Sequence, residues 1–431
     1  MMKSKTSRRQ FLQKTVGTAV GAVVFPYVIP SSALGKAGTV APSNRIVMGC
    51  IGVGSRGVRD MQTFLTKDEV QVVAVCDVDR NKRDRAMELV KEKYGNNDCA
   101  GYNDFREITE RDDIDAVLTA TPDHWHAIPA IAAARAGKDI HAQKPLAYSI
   151  EEGRAIVEAV EQYGIVWQTG SQQRSDWKFR FACELVRNGR LGKVHTVKVG
   201  LPNNNNITDR STDPEPVPEE LDYDMWLGPA PLVPYCPARC HGTFRFVSDY
   251  SGGMITDWSG HHIDIAHWGM NSELGSPVEI EGTGTWPKGP LFDTVENYCF
   301  VCRYAEGFTM IVSGAFPNGV RFEGEDGWVF VTRGTLDAEP KSLLESVIGP
   351  NEIHLYESRD HKQNFLDCVK TRSKTVAPAD VAHHSIMVGH LGIAAIKLGR
   401  KLKWDPKRER FIDDDQANSM LSRSMRSPWH L

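Results

Sequence analysis

The chain has 431 residues, of which 41% are hydrophobic and 25% are charged, as is typical of a globular protein long enough for two domains. Its formal net charge is −4 at pH 7, and its lysine and arginine residues are scattered along the chain. It therefore lacks the concentrated basic surface that nucleic-acid binding requires, and we exclude that class of function.

The first 35 residues have the layout of an export signal. Arg8 and Arg9 form a twin-arginine pattern within S-R-R-Q-F-L, and a moderately apolar stretch follows at 16–29. This stretch is too short and too weakly apolar to be a stable membrane anchor. We expect residues 1–35 to be a twin-arginine signal peptide and 36–43 to be a linker. The protein is then periplasmic or otherwise exported by the twin-arginine machinery.

The first predicted domain opens with a strand, a glycine turn and a helix. The apolar run 46–51 leads into Gly52, Gly54 and Gly57, which have the spacing G-x-G-x-x-G. In a dinucleotide-binding unit the first glycine permits the tight turn and the second lets the backbone approach a pyrophosphate. The third permits close packing of helix against strand, and the helix N-terminus then faces the anion.

An acidic residue ends the second predicted strand. The strand covers 70–76, and Asp77 follows it roughly 20 residues after the glycines. Its carboxylate can accept hydrogen bonds from both hydroxyls of an adenosine ribose and would repel a 2′-phosphate, so NAD is favoured over NADP. The alternative is that Asp77 only caps the next helix. Because twin-arginine export carries folded proteins, we expect the NAD to be inserted before export and held tightly.

Strands and helices alternate as far as residue 170. After 70–76, the predicted strands are 115–120, 139–142 and 165–169, and the predicted helices are 80–94, 127–136 and 151–163. This alternation predicts an α/β fold with a doubly wound parallel sheet, and we assign residues 44–170 to an NAD-binding Rossmann domain.

Beyond residue 170 the pattern is that of an α+β domain, which we assign to 171–431. The predicted strands are 192–201, 278–286, 296–304, 307–316 and 327–333, and the predicted helices are 179–188, 360–371 and 380–401. Alternating apolar and polar residues in the later strands predict an open, largely antiparallel sheet. The polar run 203–218 predicts a surface loop or arm.

Two stretches carry residues suited to proton transfer. Lys144 follows the strand 139–142, at the sheet edge where α/β folds bind ligands, and its ammonium can stabilise an alkoxide. The spacing of Asp257, His261 and Asp264 would place all three on one helical face. There the histidine can act as general acid or base while a carboxylate orients it. The same spacing could hold a metal, but hydride chemistry assisted by a lysine needs none, so we expect no metal.

The nine cysteines are mostly typical of buried apolar positions. Cys299 and Cys302 lie in a strand pattern, where residues three apart face opposite sides, so we do not expect a redox pair. Cys236 and Cys240 lie in a predicted loop, and a disulfide or a metal site there stays open as an alternative.

The order of these motifs resembles the glucose–fructose oxidoreductase / inositol dehydrogenase (Gfo/Idh/MocA) family over essentially the whole chain after the signal. Besides the glycine turn, the shared motifs are T-P-D-H-W-H at 121–126, Q-K-P at 143–145 and D-x-x-x-H at 257–261. The resemblance implies that Lys144, Asp257 and His261 are catalytic. It also implies a homo-oligomer, a dimer or tetramer, formed through the open sheet of the second domain.

The resemblance also guides the assignment of contacts. Gln143 stands where the family usually has Glu, which removes a carboxylate beside the lysine, and Asp123 stands where it usually has Asn. The predicted cofactor-binding residues are Gly52, Gly54, Ser55, Arg56, Gly57, Asp77, Thr121, Pro122, Asp123, His126, Gln143 and Lys144. The predicted substrate contacts are Gln173, Arg174, His241, Arg245, Asp257 and His261.

Three functions follow as hypotheses. The leading one is an exported oxidoreductase that acts on a secondary hydroxyl of a sugar or sugar derivative with tightly bound NAD. The second resembles the exported NAD-dependent α-N-acetylgalactosaminidases, in which a transient C3 oxidation acidifies C2–H and permits elimination of a glycosidic bond. The third, suggested by Gln143, is a catalytically silent, nucleotide-bound sugar-binding protein.

Overall fold

The computed structural model describes residue 41 and the ranges 44–203 and 210–431. The predicted signal peptide and nearly all of the predicted linker lie outside the described residues, as does the segment 204–209 of the predicted polar loop.

The first part of the chain forms a six-stranded parallel sheet in the order β3-β2-β1-β4-β5-β6. The strands are β1 (Ile46–Ile51), β2 (Val70–Cys76), β3 (Ala100–Tyr102), β4 (Ala116–Thr119), β5 (Asp139–Ala142) and β6 (Trp167–Thr169). The helices are α1 (Ser55–Leu65), α2 (Arg80–Tyr94), α3 (Phe105–Thr109), α4 (Ala127–Arg135) and α5 (Ile150–Tyr163). The strand order changes direction between β1 and β4, and a ligand crevice lies at the carboxyl ends of such a pair.

Local signals set the ends of the longer helices. The side chain of Asp79 accepts a hydrogen bond from the backbone N–H of Lys82, which starts α2, and Gly95 ends it in the left-handed conformation. The hydroxyl of Ser149 caps α5 in the same way, and Gly164 ends it. These caps explain why the sequence predicts the two helices closely.

The second part of the chain forms a nine-stranded sheet in the order β13-β12-β11-β7-β10-β9-β8-β14-β15. Its strands are β7 (Val194–Gly200), β8 (Glu279–Thr285), β9 (Glu296–Arg303), β10 (Thr309–Ser313), β11 (Gly319–Gly324), β12 (Gly327–Val331), β13 (Leu336–Glu339), β14 (Leu402–Asp405) and β15 (Arg410–Phe411). Every pairing among these strands is antiparallel except that of β7 with β10. The predicted combination of a doubly wound parallel sheet and a largely antiparallel sheet is confirmed.

The helices of this second part also complete the first. They are α6 (Trp177–Arg187), α7 (Tyr223–Leu227), α8 (Gly253–Trp258), α9 (Asp264–Met270), α10 (His361–Thr371), α11 (Ala379–Leu398) and α12 (Asp415–Asn418). Helix α11 is long and apolar enough to span a membrane, but most of it is buried between β8 and α5. Helix α10 places Phe365 against Phe64 of α1, with 6.1 Å between ring centroids. The two sheets therefore share core helices.

Buried histidines make the fold sensitive to acid. Burial lowers the pKa of His124, His267 and His361 to about 3. Such a histidine binds more protons when the chain is unfolded, where its pKa is about 6.5. Its contribution to stability is therefore complete above that pH and is lost progressively as the pH falls toward the folded-state pKa.

We predict that the melting temperature falls by about 5 °C or more for each pH unit below about pH 6.5, because each buried histidine contributes about 1.4 kcal/mol per unit. Differential scanning calorimetry between about pH 7.5 and pH 5 measures this slope. His354→Gln, at an exposed position, is the control and leaves the slope unchanged. A melting temperature that stays constant over the range contradicts the prediction.

Candidate active site

The three glycines of the first turn meet three different surroundings. Gly52 has φ +80°, and a Cβ there would lie 2.7 Å from the carbonyl carbon of Ala120. A Cβ on Gly57 would overlap the carbonyl oxygen of Gly52. At Gly54 the nearest atom to a Cβ would be Cδ of Lys82, at 3.9 Å. Close packing therefore requires the first and third glycines, whereas the second leaves open space at a cleft.

That cleft has a volume of about 440 Å³ and runs along the carboxyl edge of the parallel sheet. Ser55 and Arg56 line it at the start of α1, and Thr121 and Pro122 line it after β4. Asp77 lies at the end of β2 and accepts hydrogen bonds from the backbone N–H groups of Val53 and Asp79, at 2.9 and 3.0 Å. Because Asp79 caps α2, the helix-capping alternative for Asp77 is excluded. An open glycine turn and this carboxylate fit a dinucleotide.

His241 lies in the nucleotide cleft and does not line the neighbouring pocket that holds Lys144. Its Nδ1 accepts a hydrogen bond from Nζ of Lys82, at 2.5 Å. Burial, together with the charge of Lys82, lowers the pKa of His241 to about 4, which agrees with a neutral acceptor ring. We predicted His241 as a substrate contact, but the structure places it in the wall of the nucleotide cleft.

The neighbouring pocket has a volume of about 540 Å³ and shares Arg56, Thr121 and Arg245 with the cleft. It brings together most of the predicted catalytic and substrate-binding side chains. The predicted residues that line it are Arg56, Thr121, Asp123, His126, Gln143, Lys144, Gln173, Arg245, Asp257 and His261. Ala120, Gln172, Asp176, Trp258 and Arg333 complete its wall.

Asp257 orients the lysine in this pocket. Its Oδ1 lies 2.8 Å from Nζ of Lys144 and accepts a hydrogen bond from Nε of Arg245 at 2.9 Å. Burial alone would raise the pKa of Asp257, but the charges of Lys144 and Arg245 outweigh burial and hold the pKa well below its usual range. We expected a carboxylate to orient His261. Instead, this permanently ionised carboxylate holds the ammonium of Lys144.

His261 is buried in a π-helical turn, Ser259–Ile263, and its Nδ1 has no hydrogen-bond partner among the described residues. Burial, and then the charges of Lys144 and Arg333, hold its pKa well below the ordinary value. The ring of Trp258 lies edge-on to it, with 5.3 Å between centroids. His261 is therefore a neutral imidazole whose Nδ1 is available for a hydrogen bond with a ligand.

Asp264 does not share the pocket with Asp257 and His261. The π-helical turn changes the register of the helix, and Asp264 accepts hydrogen bonds from Arg174 at 2.7 and 2.9 Å. Arg174 also pairs with Glu273 at 2.7 Å, and its side chain is 3% exposed. Arg174 is therefore a structural residue and not the predicted substrate contact. Asp257, His261 and Asp264 therefore do not form the three-ligand set that their spacing allowed, because Asp264 is bound to Arg174.

The side chain of Gln143 is hydrogen-bonded to a carboxylate. Nε2 of Gln143 donates a hydrogen bond of 2.5 Å to Oδ2 of Asp60 in α1. The same carboxylate accepts from Arg56 at 3.1 Å and lies 3.1 Å from Nζ of Lys362. Because a carboxylate only accepts, this bond fixes which end of the Gln143 amide faces Asp60. The expected loss of negative charge at position 143 is thus offset by Asp60, and Asp257 supplies the carboxylate beside Lys144.

Asp123 and His126 belong to the loop that follows β4. Asp123 is buried and accepts a hydrogen bond from the hydroxyl of Ser251 at 2.5 Å, and burial raises its pKa. The ring nitrogens of His126 lie 2.5 and 2.8 Å from the carbonyl oxygens of Pro145 and Thr121. His126 therefore acts by fixing two loops of the pocket.

The cysteines form no disulfide among the described residues, and of the nine only Cys76 lines the nucleotide cleft. All nine are free thiols, so the disulfide considered for Cys236 and Cys240 does not form. Both lie buried in a satellite core, and burial raises the pKa of Cys240 to about 12.

Five buried polar atoms at the pocket have no partner among the residues the structure describes. They are Thr121 Oγ1, Gln172 Nε2, Gln173 Oε1 and Nε2, and His261 Nδ1. Buried polar atoms in folded proteins almost always have a partner, so these donors and acceptors are available to a polar ligand of the pocket. Sequence reasoning did not single out Asp60, Trp258 and Arg333 here. Asp60 and Arg333 lie outside the shared motifs, and Trp258 occupies an unspecified position of the D-x-x-x-H motif.

A glycine-turn cleft that opens onto a lysine and a neutral histidine defines a two-domain, dinucleotide-binding oxidoreductase. The chain belongs to the Gfo/Idh/MocA oxidoreductase family. The family profile described as "Oxidoreductase family, NAD-binding Rossmann fold" matches residues 46–171. The profile described as "Oxidoreductase family, C-terminal alpha/beta domain" matches residues 184–431.

Similar proteins include dehydrogenases, other oxidoreductases and a glycosidase. The myo-inositol 2-dehydrogenase of Thermotoga maritima is 27% identical over 366 residues, which cover 81% of this chain and 95% of that protein. An alpha-N-acetylgalactosaminidase of Shewanella oneidensis is 34% identical over 172 residues, but the match covers 36% of this chain and 37% of that protein. The structure of an aldose-aldose oxidoreductase from Caulobacter crescentus, complexed with glycerol, superimposes with a TM-score of 0.61 at 20% identity. The superposition covers 83% of this chain and 99% of the Caulobacter chain, and it shows that the two proteins share a fold.

Proposed function

We propose that the protein oxidises a secondary hydroxyl of a sugar or sugar derivative with tightly bound NAD. The observation that carries this proposal is the set of unpartnered polar atoms around Lys144 in a pocket that shares its wall with the nucleotide cleft. The full-length similarity to a myo-inositol 2-dehydrogenase supports a polyhydroxylated substrate.

The residues of the cleft and the pocket would have separate roles in cofactor binding and in proton transfer. Gly54, Asp77 and Thr121 would hold NAD, which when bound supplies the hydride acceptor. Lys144, held by Asp257, donates a hydrogen bond to the substrate hydroxyl and stabilises the developing alkoxide. His261 accepts the hydroxyl proton on its free, neutral imidazole.

We further propose NAD rather than NADP, export by the twin-arginine route with the cofactor in place, and assembly into a homo-oligomer through the nine-stranded sheet. Asp77 at the cleft and the Arg8-Arg9 pattern support the first two proposals. Denaturing the purified protein and assaying the released nucleotide tests cofactor identity and retention. We expect stoichiometric NAD, and an absence of nucleotide would contradict a captive cofactor.

A second candidate, an NAD-dependent glycosidase, is favoured by the alpha-N-acetylgalactosaminidase relative. The same residues would perform the initial oxidation, after which elimination, water addition and re-reduction give no net redox change. Nitrophenyl glycosides without added NAD distinguish the two candidates. Net formation of a keto sugar with an added hydride acceptor supports the oxidoreductase, and release of nitrophenol supports the glycosidase.

A further inference from the structure

We propose that the substrate carries a carboxylate, as a uronic or aldonic acid does, and that Arg333 binds this carboxylate at the mouth of the pocket. The inference rests on the proposed function and narrows its substrate class from sugars in general to acidic sugars. It also gives a role to a residue that lies outside the motifs shared with the family.

Arg333 lies in the turn that joins β12 to β13 and reaches the pocket from the second sheet. Its guanidinium lies over the indole of Trp258, with Cζ 5.1 Å from the ring centroid. The same indole contacts His261, so one aromatic wall connects the proton acceptor to the pocket mouth. A ligand that reaches both residues would lie along this wall.

Arg333 differs from the other cations that line the pocket. Arg56 is paired with Asp60 at 3.1 Å, and Lys144 and Arg245 share Asp257. No carboxylate of the described ranges lies within 4.0 Å of the Arg333 guanidinium. Its side chain is exposed at the mouth, and its backbone carbonyl accepts a hydrogen bond of 2.9 Å from Nζ of Lys178. The guanidinium can therefore bind an incoming anion without breaking an existing ion pair.

The charges around the pocket favour an anion as well. Five cationic side chains line the pocket or contact its wall, against four carboxylates. The cations are Arg56, Lys144, Lys178, Arg245 and Arg333, and the carboxylates are Asp60, Asp123, Asp176 and Asp257. A concave site with excess charge of one sign concentrates ligands of the opposite sign.

A carboxylate fits this arrangement better than a neutral hydroxyl. A guanidinium presents two parallel N–H donors that match the two oxygens of a carboxylate. The unpartnered amide and imidazole atoms deeper in the pocket suit hydroxyl groups. Binding of the carboxylate by Arg333 at the mouth, together with hydrogen bonds from the hydroxyl groups to these deeper atoms, would fix the orientation of a sugar acid in the pocket.

The test compares neutral and acidic members of matched pairs: glucose with glucuronate, galactose with galacturonate, and mannose with mannuronate. KM and kcat are measured on the NAD-loaded wild type and on Arg333→Ala, Arg333→Lys and Arg359→Ala, an exposed arginine outside the pocket. Tryptophan fluorescence, with Trp258→Phe as reference, measures binding independently of turnover.

We expect at least one acid to have a KM about 10- to 100-fold below that of its neutral partner. Arg333→Ala should raise the KM of the acid by a much larger factor than that of its neutral partner and so abolish this preference, Arg333→Lys should restore part of it, and Arg359→Ala should have no effect. Added salt should weaken binding of the acid alone.

Equal affinity for the acid and the neutral sugar of every pair would overturn the inference. An equal effect of Arg333→Ala on the KM of the acid and of the neutral sugar would also overturn it. A preference for glucose 6-phosphate over glucuronate would do the same. If neutral sugars are oxidised without any acid preference, the proposed function stands and this inference fails. If acids bind through Arg333 without turnover, the inference stands and the proposed oxidation fails.

Discussion

Replacing Lys144 by alanine is expected to lower the kcat of sugar oxidation by about 10³-fold, because the substituted pocket cannot stabilise the alkoxide. Asp257 would keep Arg245 as a partner, so its carboxylate would not be left as an uncompensated buried charge. The variant should therefore fold and retain NAD. The measurement is sugar-dependent nicotinamide absorbance at saturating substrate, with circular dichroism and released NAD as checks on the fold and the loaded cofactor.

Lys403→Ala, on an exposed position of β14, serves as the control and should behave like the wild type. A Lys144→Ala variant within about tenfold of the wild-type kcat would remove the lysine from the chemistry. If the wild type itself binds sugars without turning them over, and the variant responds equally, the catalytically silent sugar-binding alternative would be supported.

The second large effect separates two glycines of the same turn. Gly57→Ala is expected to destabilise the fold by about 3 kcal/mol or more, because its Cβ would overlap the backbone carbonyl of Gly52, which cannot rotate away as a side chain would. Gly54→Ala is expected to leave stability unchanged, since its backbone φ of −65° suits alanine and its Cβ would enter open space. That space is where the cofactor pyrophosphate is expected to approach the backbone.

Thermal unfolding of the nucleotide-free proteins and NAD content after purification are the two measurements. Gly54→Ala should unfold at the same temperature as the wild type, and it should retain little of the NAD that the wild type carries after purification. Gly334→Ala, at a position without a positive φ and with no heavy atom within 4 Å of an added Cβ, controls for the general cost of replacing glycine. Full NAD retention in Gly54→Ala would contradict the assignment of this turn to the cofactor.

The fold was predictable where local chemistry fixes structure. The bounds of α2 follow from Asp79 and Gly95, which cap its two ends. The buried strands of the parallel sheet read as apolar runs because both their faces are covered. The strands β3, β11, β13, β14 and β15 were not predicted. All except β11 have four residues or fewer and gain most of their stability from neighbouring strands.

The site was only partly predictable, because several of its features depend on partners that are distant in sequence. Lys144 could be placed from the strand before it, whereas the structural role of Arg174 depends on Asp264, 90 residues away. The separation of Asp264 from His261 arises from a π-helical turn that the spacing of polar residues did not reveal. The carboxylate behind Gln143 comes from Asp60, 83 residues earlier, and could not be inferred from the Q-K-P motif.

The central claim is that hydride leaves a carbinol carbon of a sugar held between Lys144 and His261. Its most direct test is to mix the purified, NAD-loaded protein with perdeuterated neutral sugars and uronates, denature it, and examine the nicotinamide by mass spectrometry. We predict that deuterium appears on the nicotinamide in the wild type and is lost in Lys144→Ala. If the label stays on sugars that demonstrably bind the wild-type protein, the proposed chemistry is contradicted.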